Sequence, residues 1–483
     1  MLLAHLQPKF DRLKAENHPH YQRVIRDALV DDTTGERYGS RGRWSALAYR
    51  MSGDRAHALR AYTTVLSPAP DFAAVLPIES NARREHAAES VLTLAWIMDA
   101  LTPAQVEAYR GWLDRTAVDT LAEAQRLNDS DRVVGEYIFL ALVDQLFGTT
   151  YLTHPKAIAM RAALGKFCTV YGKGGQWCES TDYNTGTLFL LFQGAEMVGI
   201  DKFPEVLAFR TEFIKLLPHM FTPGLRDAFE YGDDQTPHNP VWHGLESLLA
   251  YLGNHAPEIR QLEIDLRVAW KRTAPWAPQS TQEPLYARYF VWADPYGPTK
   301  PWQPAETFAV AEGAGQVYAR TDWTADATAL MAWFPQFSLG VLDHAYFIFG
   351  DFRFWKDRKW HNDRPIAYSG ALQLANHTIL MGLRAPTEVG VFTGATRVPG
   401  KVTYSSGSSA GVLAASGRYL PPLTFRHEYG RSFFWLEDRG VLLVTERIHI
   451  DDVVDLGRYA ETAEKPKAAA APAIQTLWQS QTI

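Results

Sequence analysis

Apolar residues recur at three- and four-residue spacing through about the first 280 residues, and in alternation with polar ones beyond about residue 315. The first period is that of helices with one buried face, the second that of half-buried strands. Thr102-Pro103-Ala104-Gln105 carries a helix start signal, with Thr at the N-cap, Pro at the first helical position and Gln at the third. Further helices are expected over Arg132 to Leu146, Lys156 to Val170, Thr187 to Val198, Phe203 to Leu217 and Pro240 to Gly253. No fixed sequence repeat links them.

Two proline-tryptophan stretches, Pro275-Trp276-Ala277-Pro278 and Pro301-Trp302-Gln303-Pro304, mark the change of character. Beyond them, strand signatures run over Gly315 to Arg320, Thr328 to Phe334, Phe347 to Phe349, Phe352 to Trp355, Ser432 to Leu436 and Val441 to Thr445. The expected organisation is an α+β multidomain chain. It has a helical domain over 1–285, a linker over 286–303, an antiparallel β-sandwich over 304–460 and a low-complexity tail over 461–483.

A length of 483 residues exceeds what one core holds, which agrees with two domains. The net charge of −6 supplies no global field for an anionic partner, so an anionic substrate would need a local basic pocket. No long basic run and no zinc-finger spacing occurs, which argues against nucleic acid as a partner. No apolar run reaches membrane-spanning length, which argues against a membrane partner. Met1 to Lys9 lacks the basic start and long apolar stretch of a signal peptide. Cys168 and Cys178 are too few for a disulfide framework, although one bridge between them is open. Aromatic residues reach 12%, which suits stacking on sugar faces as well as a large core.

The most informative chemistry lies in Gly174-Gly175-Gln176-Trp177-Cys178-Glu179-Ser180-Thr181-Asp182-Tyr183-Asn184. A glycine-led turn opens into an apolar helical run and sets the carboxylate of Glu179 four residues before the phenol of Tyr183. A tyrosine at a helix start among polar neighbours can carry a proton if its pKa is lowered. The plain alternative is a helix-face tyrosine with a satisfied hydroxyl.

In this order along the chain, several motifs resemble those of the heparinase II/III-like polysaccharide lyases, a group that includes alginate lyases. The Glu179-x-x-x-Tyr183 turn is followed by Phe229-Glu230-Tyr231-Gly232-Asp233-Asp234, similar to that family's late Gly-Asp turn. Arg320-Thr321-Asp322-Trp323 with Asp326-Ala327 is similar to its first long strand pair. Asp343-His344-Ala345-Tyr346 with Gly350-Asp351-Phe352 resembles its His-x-His-x-Asp-x-Gly-x-Phe segment, and Ala375-Asn376-His377-Thr378 its Ala-His-Asn-Thr segment. The set spans about residues 80 to 450. Departures are clear: Tyr346 stands at the second His, Ile348 at the Asp, and Asn376-His377 reverses the usual order.

The resemblance implies an incomplete (α/α) toroid followed by an antiparallel β-sandwich, with a substrate cleft between them. It implies β-elimination on a uronic-acid polysaccharide, an anionic partner, and action in the periplasm or outside the cell. Tyr183 is then the proton shuttle, and Glu179 orients its turn. The family places an Asn or His that neutralises the uronate carboxylate about fifty-five residues upstream, where Asn128 stands; the other reading of Asn128 is the cap of the helix expected from about Arg132. His344 is the second candidate base. No cofactor is required, but His344, Asp363 and His377 resemble the family's His-Asp-His zinc set, a structural site. Candidate substrate contacts are Trp177, His238, His243, Arg320, Arg353 and Trp355.

Two other functions remain open. An inverting glycoside hydrolase would pair Glu179 with Asp233 or Asp234. A non-catalytic carbohydrate-binding protein of the same fold would explain the altered His-x-His segment. Neither the polymer nor the oligomeric state is readable in the sequence, and the β-half reads as short for the family.

Overall fold

The computed structural model describes residues 2–30, 42–66, 69–123, 127, 129–177, 179–229, 244–270, 284–333, 351–361, 379–381, 396–397, 401–407, 410–420, 426–436, 441–451 and 474–476; for residues 30, 81, 85, 181–183, 284–286, 333, 351 and all beyond 361 it describes the backbone only. The chain is helix-rich, with antiparallel strands following the helices.

The helices run in order as α1 (Gln7–Ala15), α2 (Pro19–Val30), α3 (Arg43–Ser52), α4 (Arg55–Leu66), α5 (Ser80–Ala82), α6 (Ala88–Ile97) and α7 (Pro103–Ala122). They continue as α8 (Ser130–Phe147), α9 (Pro155–Lys166), α10 (Thr181–Val198), α11 (Pro204–Leu216), α12 (Leu245–Leu252), α13 (Pro257–Ala269) and α14 (Pro284–Trp292). Two π-helical turns interrupt the series, Arg83–Ala87 and Phe167–Tyr171.

The chain divides into two compact units. One comprises Met1–Lys166, Thr185–Arg210 and Val241–Trp302; the other comprises Phe167–Asn184, Thr211–Pro240 and Gln303–Ile483. Two of the divisions fall within α10 and α11, and neither unit is one continuous stretch of chain.

The first unit is helical. α7 begins as its sequence specifies: the Gln105 backbone N–H donates to Thr102 Oγ1 at 3.3 Å, and the Thr102 N–H donates to Gln105 Oε1 at 2.9 Å. α6 is buried along its whole length, and α8 from Val133 to Val143, as befits helices that are apolar nearly all round. They pack on each other, and α8 also meets α7, α9 and the π turn Arg83–Ala87. At that crossing a Cβ on Gly135 would overlap the Arg84 carbonyl, so only glycine lets α8 approach so closely. Charges are buried here too. Glu89 of α6 pairs with both Arg43 of α3 and Arg288 of α14, and all three side chains are almost fully covered.

Residues 286–303, expected as a linker, carry most of α14. The reason is the apolar run Tyr289-Phe290-Val291-Trp292, which packs against α12 and α3 and leaves all four residues buried. The Trp292 indole donates to Gln193 Oε1 at 2.6 Å and the Tyr289 hydroxyl to Glu263 Oε1 at 3.1 Å, which satisfies the two polar side-chain atoms that this burial encloses.

The second unit carries the strands β1 (Phe308–Ala311), β2 (Gln316–Arg320), β3 (Ala329–Trp333), β4 (Asp351–Lys356) and β5 (Lys359–Trp360), an antiparallel meander in sequence order. A second antiparallel sheet is built from β7 (Thr396–Arg397), β8 (Lys401–Gly407), β9 (Ala410–Leu420), β10 (Arg426–Leu436) and β11 (Val441–Asp451). Its order is β11-β10-β9-β7, with β8 also on β9. A short pair joins β6 (Ile379–Met381) to β12 (Ile474–Thr476). The alternating runs at 432–436 and 441–445 form the paired ends of β10 and β11, with Leu436 opposite Val441. Among the described residues, no helix is long and apolar enough to cross a membrane.

Candidate active site

The glycine-led turn is held from two sides within the second unit. Gly174 and Gly175 both have left-handed backbones, with φ of 85° and 91°. A Cβ on Gly174 would lie 2.7 Å from the backbone of Ala311 in β1, and one on Gly175 would lie 2.6 Å from the backbone of Glu212 in α11. Any side chain would therefore push the turn off both supports. The Gly174 N–H donates to Glu212 Oε2 at 2.9 Å, and the Gly313 N–H donates to the Lys173 carbonyl at 2.8 Å.

From this anchor the chain runs inward. Gln176, Trp177, Glu179 and Ser180 have no exposed surface. The Trp177 indole packs near Phe167, with ring centres 5.9 Å apart, and donates to Glu179 Oε2 at 3.4 Å. Trp177 therefore braces the carboxylate and offers no ring face to solvent. Cys168 is a buried thiol in the preceding π turn, and Cys178 lies outside the described residues. α10 then starts at Thr181, six residues before the expected Thr187, and its first turn closes where the Asn184 N–H donates to the Ser180 carbonyl at 3.0 Å. Tyr183 sits in that first turn; its side chain lies outside the described atoms.

Asn128 also lies outside the described residues, but the helix after it is informative. α8 begins at Ser130 with Asp129 in the N-cap position, so the capping place considered for Asn128 is occupied by its neighbour. Arg132 lies 3.4 Å from Asp129 and donates to Ser80 Oγ at 2.6 Å, while Arg84 donates to Asp131 at 2.8 Å. The start of α8 is thereby fixed against α5 and the π turn behind it.

Arg320 is buried at the end of β2. One of its terminal nitrogens donates to the Phe221 carbonyl at 2.8 Å and to the His219 carbonyl at 3.2 Å, and its guanidinium lies 3.9 Å from the centre of the Trp323 ring. Burial pushes its pKa down to about 9. This arginine ties the turn at Leu217–Met220 to the sheet. Arg353 and Trp355 of β4 are likewise buried, Arg353 with zero exposed surface. Beside them the Trp360 indole donates to Asp227 Oδ2 at 2.8 Å. His238, His243, His344, Asp363 and His377 lie outside the described residues.

Sequence reasoning passed over His219, whose ring meets Trp323 edge-on at 5.0 Å. Burial, with the Arg320 charge behind it, pushes its pKa down to about 3. A histidine kept neutral when folded stabilises fully above its unfolded pKa near 6.5, and the stability is lost as pH falls from there toward 3. At pH 5 the His219 share is about 2 kcal/mol. Glu136, pushed up to about 7 by burial, works in the opposite sense. The His219→Phe variant is therefore compared with the parent across pH 7.5 to 5. The parent should lose stability relative to the variant as pH drops. Parallel melting curves would show that His219 does not carry the effect.

No protein-family model matches the chain, and no curated protein matches it by sequence. By structure, the chain is similar to heparinase III, with a TM-score of 0.50 and 10% identity over 86% of this chain and 64% of that one. It is also similar to heparan sulfate lyase from Pedobacter heparinus (TM-score 0.46, 14% identity, 85% and 61% covered). A third likeness is a mutant chondroitin AC lyase of Streptomyces coelicolor A3 (TM-score 0.42, 13% identity, 89% and 67% covered). The chain thus spans 64% of the length of heparinase III. What the heparinase III likeness shows is a heparinase-like, polysaccharide-lyase-like fold.

Proposed function

We propose that the chain is a polysaccharide lyase that cleaves a uronate-containing anionic polysaccharide by β-elimination, on an incomplete helical toroid followed by a β-sandwich. The observation that carries this reading is the heparinase III-like fold over 86% of the chain. The braced Gly174–Glu179 turn at the start of α10 supports it.

In β-elimination the proton at C5 of the uronate is removed while the O4 leaving group departs. The adjacent charged carboxylate makes C5 weakly acidic, so that charge has to be neutralised or hydrogen-bonded as the enolate-like state forms. Asn128 is proposed for that role, with His344 as a second candidate. Tyr183, as the phenolate, takes the C5 proton and, now a phenol, gives it to the departing O4, which a single side chain between the two atoms can do. Glu179 fixes the turn that carries it. A structural zinc on His344, Asp363 and His377 belongs to the same proposal; nitrogen and oxygen donors suit zinc, and no step of the elimination is routed through it.

The test is a panel of uronate polymers (alginate, glucuronan, heparan, hyaluronan and ulvan) incubated with the protein and followed by near-ultraviolet absorbance. A rise marks the unsaturated ends that elimination leaves. New reducing ends without that absorbance would replace the lyase with a hydrolase. No product from any polymer would point to a binding protein.

A further inference from the structure

We propose that the face of the first sheet around Arg353 is a buried binding site for a carboxylate-class oxyanion, held by the Arg353 guanidinium and the Trp355 indole N–H. Arg353 and Trp355 stand two apart on β4 and so share one face of the sheet. Arg353 has zero exposed surface, and among the described residues none of its Nε, Nη1 and Nη2 atoms has a hydrogen-bond partner. Among the same residues the buried Trp355 Nε1 has none either. The Trp360 ring flanks both: its centre lies 5.4 Å from the guanidinium and 5.1 Å from the Trp355 ring, edge to face.

A guanidinium in this position is costly. An unpaired buried charge costs several kcal/mol, and a cation–π contact returns only about 0.5–2 kcal/mol. Among the described residues, the Asp227 carboxylate oxygen beside Trp360 is already engaged: Oδ2 accepts from the Trp360 indole at 2.8 Å. Among the described residues, donors therefore outnumber acceptors on this face. A carboxylate fits the imbalance: its two oxygens match the guanidinium fork, and a remaining lone pair takes the indole proton. The carboxylate is supplied either by a small free acid or by the uronate group of a sugar. With a uronate as its ligand the site rests on the proposed lyase reading, in which Arg353 and Trp355 are candidate substrate contacts; with a small free acid it stands without that reading.

The test uses the full chain, dialysed into a Tris–perchlorate buffer free of carboxylates and melted with increasing acetate or glucuronate at constant ionic strength. The melting temperature should rise and saturate, since a ligand bound only by the folded state stabilises it by mass action. A response to both probes identifies a site for small carboxylates, and a response to glucuronate alone identifies one for sugar acids. Arg353→Met should abolish the response and melt no lower than the carboxylate-free parent, because it removes the uncompensated charge while keeping the volume. Trp355→Phe should keep the response with affinity weakened on the order of 10-fold. The proposal is overturned if the parent responds to neither probe. It is also overturned if Arg353→Met melts far below the carboxylate-free parent, since the chain would then supply the carboxylate itself. Should Arg353→Met fail to fold, unchanged affinity in Trp355→Phe is the overturning result.

Discussion

Tyr183→Phe is expected to lower turnover of a cleaved uronate polymer on the order of 10²–10⁴-fold, the usual loss for a positioned acid–base group. The change removes one oxygen from a residue in the first turn of α10, whose backbone is held by the Gly174 and Gly175 contacts upstream. The fold should therefore survive, and circular dichroism with a melting curve checks this. If Tyr183 only binds substrate, the loss should fall on KM with kcat retained. If it carries the proton, kcat and kcat/KM should fall together. Asn128→Ala gives a second reading: loss of charge stabilisation in the transition state lowers kcat more than it weakens ground-state binding. Near-parental activity of Tyr183→Phe would place the proton carrier elsewhere, with His344 the next residue to replace.

Glu89→Ala should destabilise the first unit by about 3–5 kcal/mol, as expected when one member of a buried ion set is removed. Glu89 lies between Arg43 and Arg288, with side-chain exposures of 1%, 5% and 2%. The alanine leaves two covered guanidinium groups without the carboxylate between them. Against a typical total of about 5–15 kcal/mol, that is a large share of a domain's stability. Denaturant titration measures it. Burial also drives the pKa of His86 well below its ordinary range, with Arg43 and Arg288 adding to the effect, so this histidine stays neutral and adds no further positive charge beside the two arginines. A loss below about 1 kcal/mol would mean that other groups neutralise the two arginines.

Where structure follows from neighbours in sequence, it was legible. The Thr102–Gln105 capping box needs only four residues, and both of its hydrogen bonds formed. The alternation around Phe433 and Val444 needs only a period of two, and these residues pair across β10 and β11. The glycine-led turn was legible for the same reason. α14 was not, because prolines on both flanks masked a nine-residue apolar helix. The start of α10 read too late because Thr181, Asp182 and Asn184 are polar while the buried surroundings of this first turn are supplied from elsewhere in the chain. Phe352-Arg353-Phe354-Trp355 reads as a strand, with Arg353 and Trp355 as candidate substrate contacts. In the fold Arg353 is covered and Phe354 is partly exposed, since what lies over each face of a sheet is settled by distant segments. Trp177 misled in the same way: an aromatic beside a polar turn reads as a sugar platform, but here it is buried and holds Glu179.

The braced turn also has a consequence for how the chain is made. Gly174 rests on the backbone at Val310, Ala311 and Glu312, well over a hundred residues later in synthesis. During translation the segment leading to Tyr183 emerges long before β1 exists to support it, and contacts of such long range form late. Until then the final shape of that piece of chain is undecided. A chain that ends before Phe308 would carry the proposed catalytic tyrosine without the strand that shapes its approach. The most chemically suggestive residues of the sequence would thus be among the last to reach their working conformation.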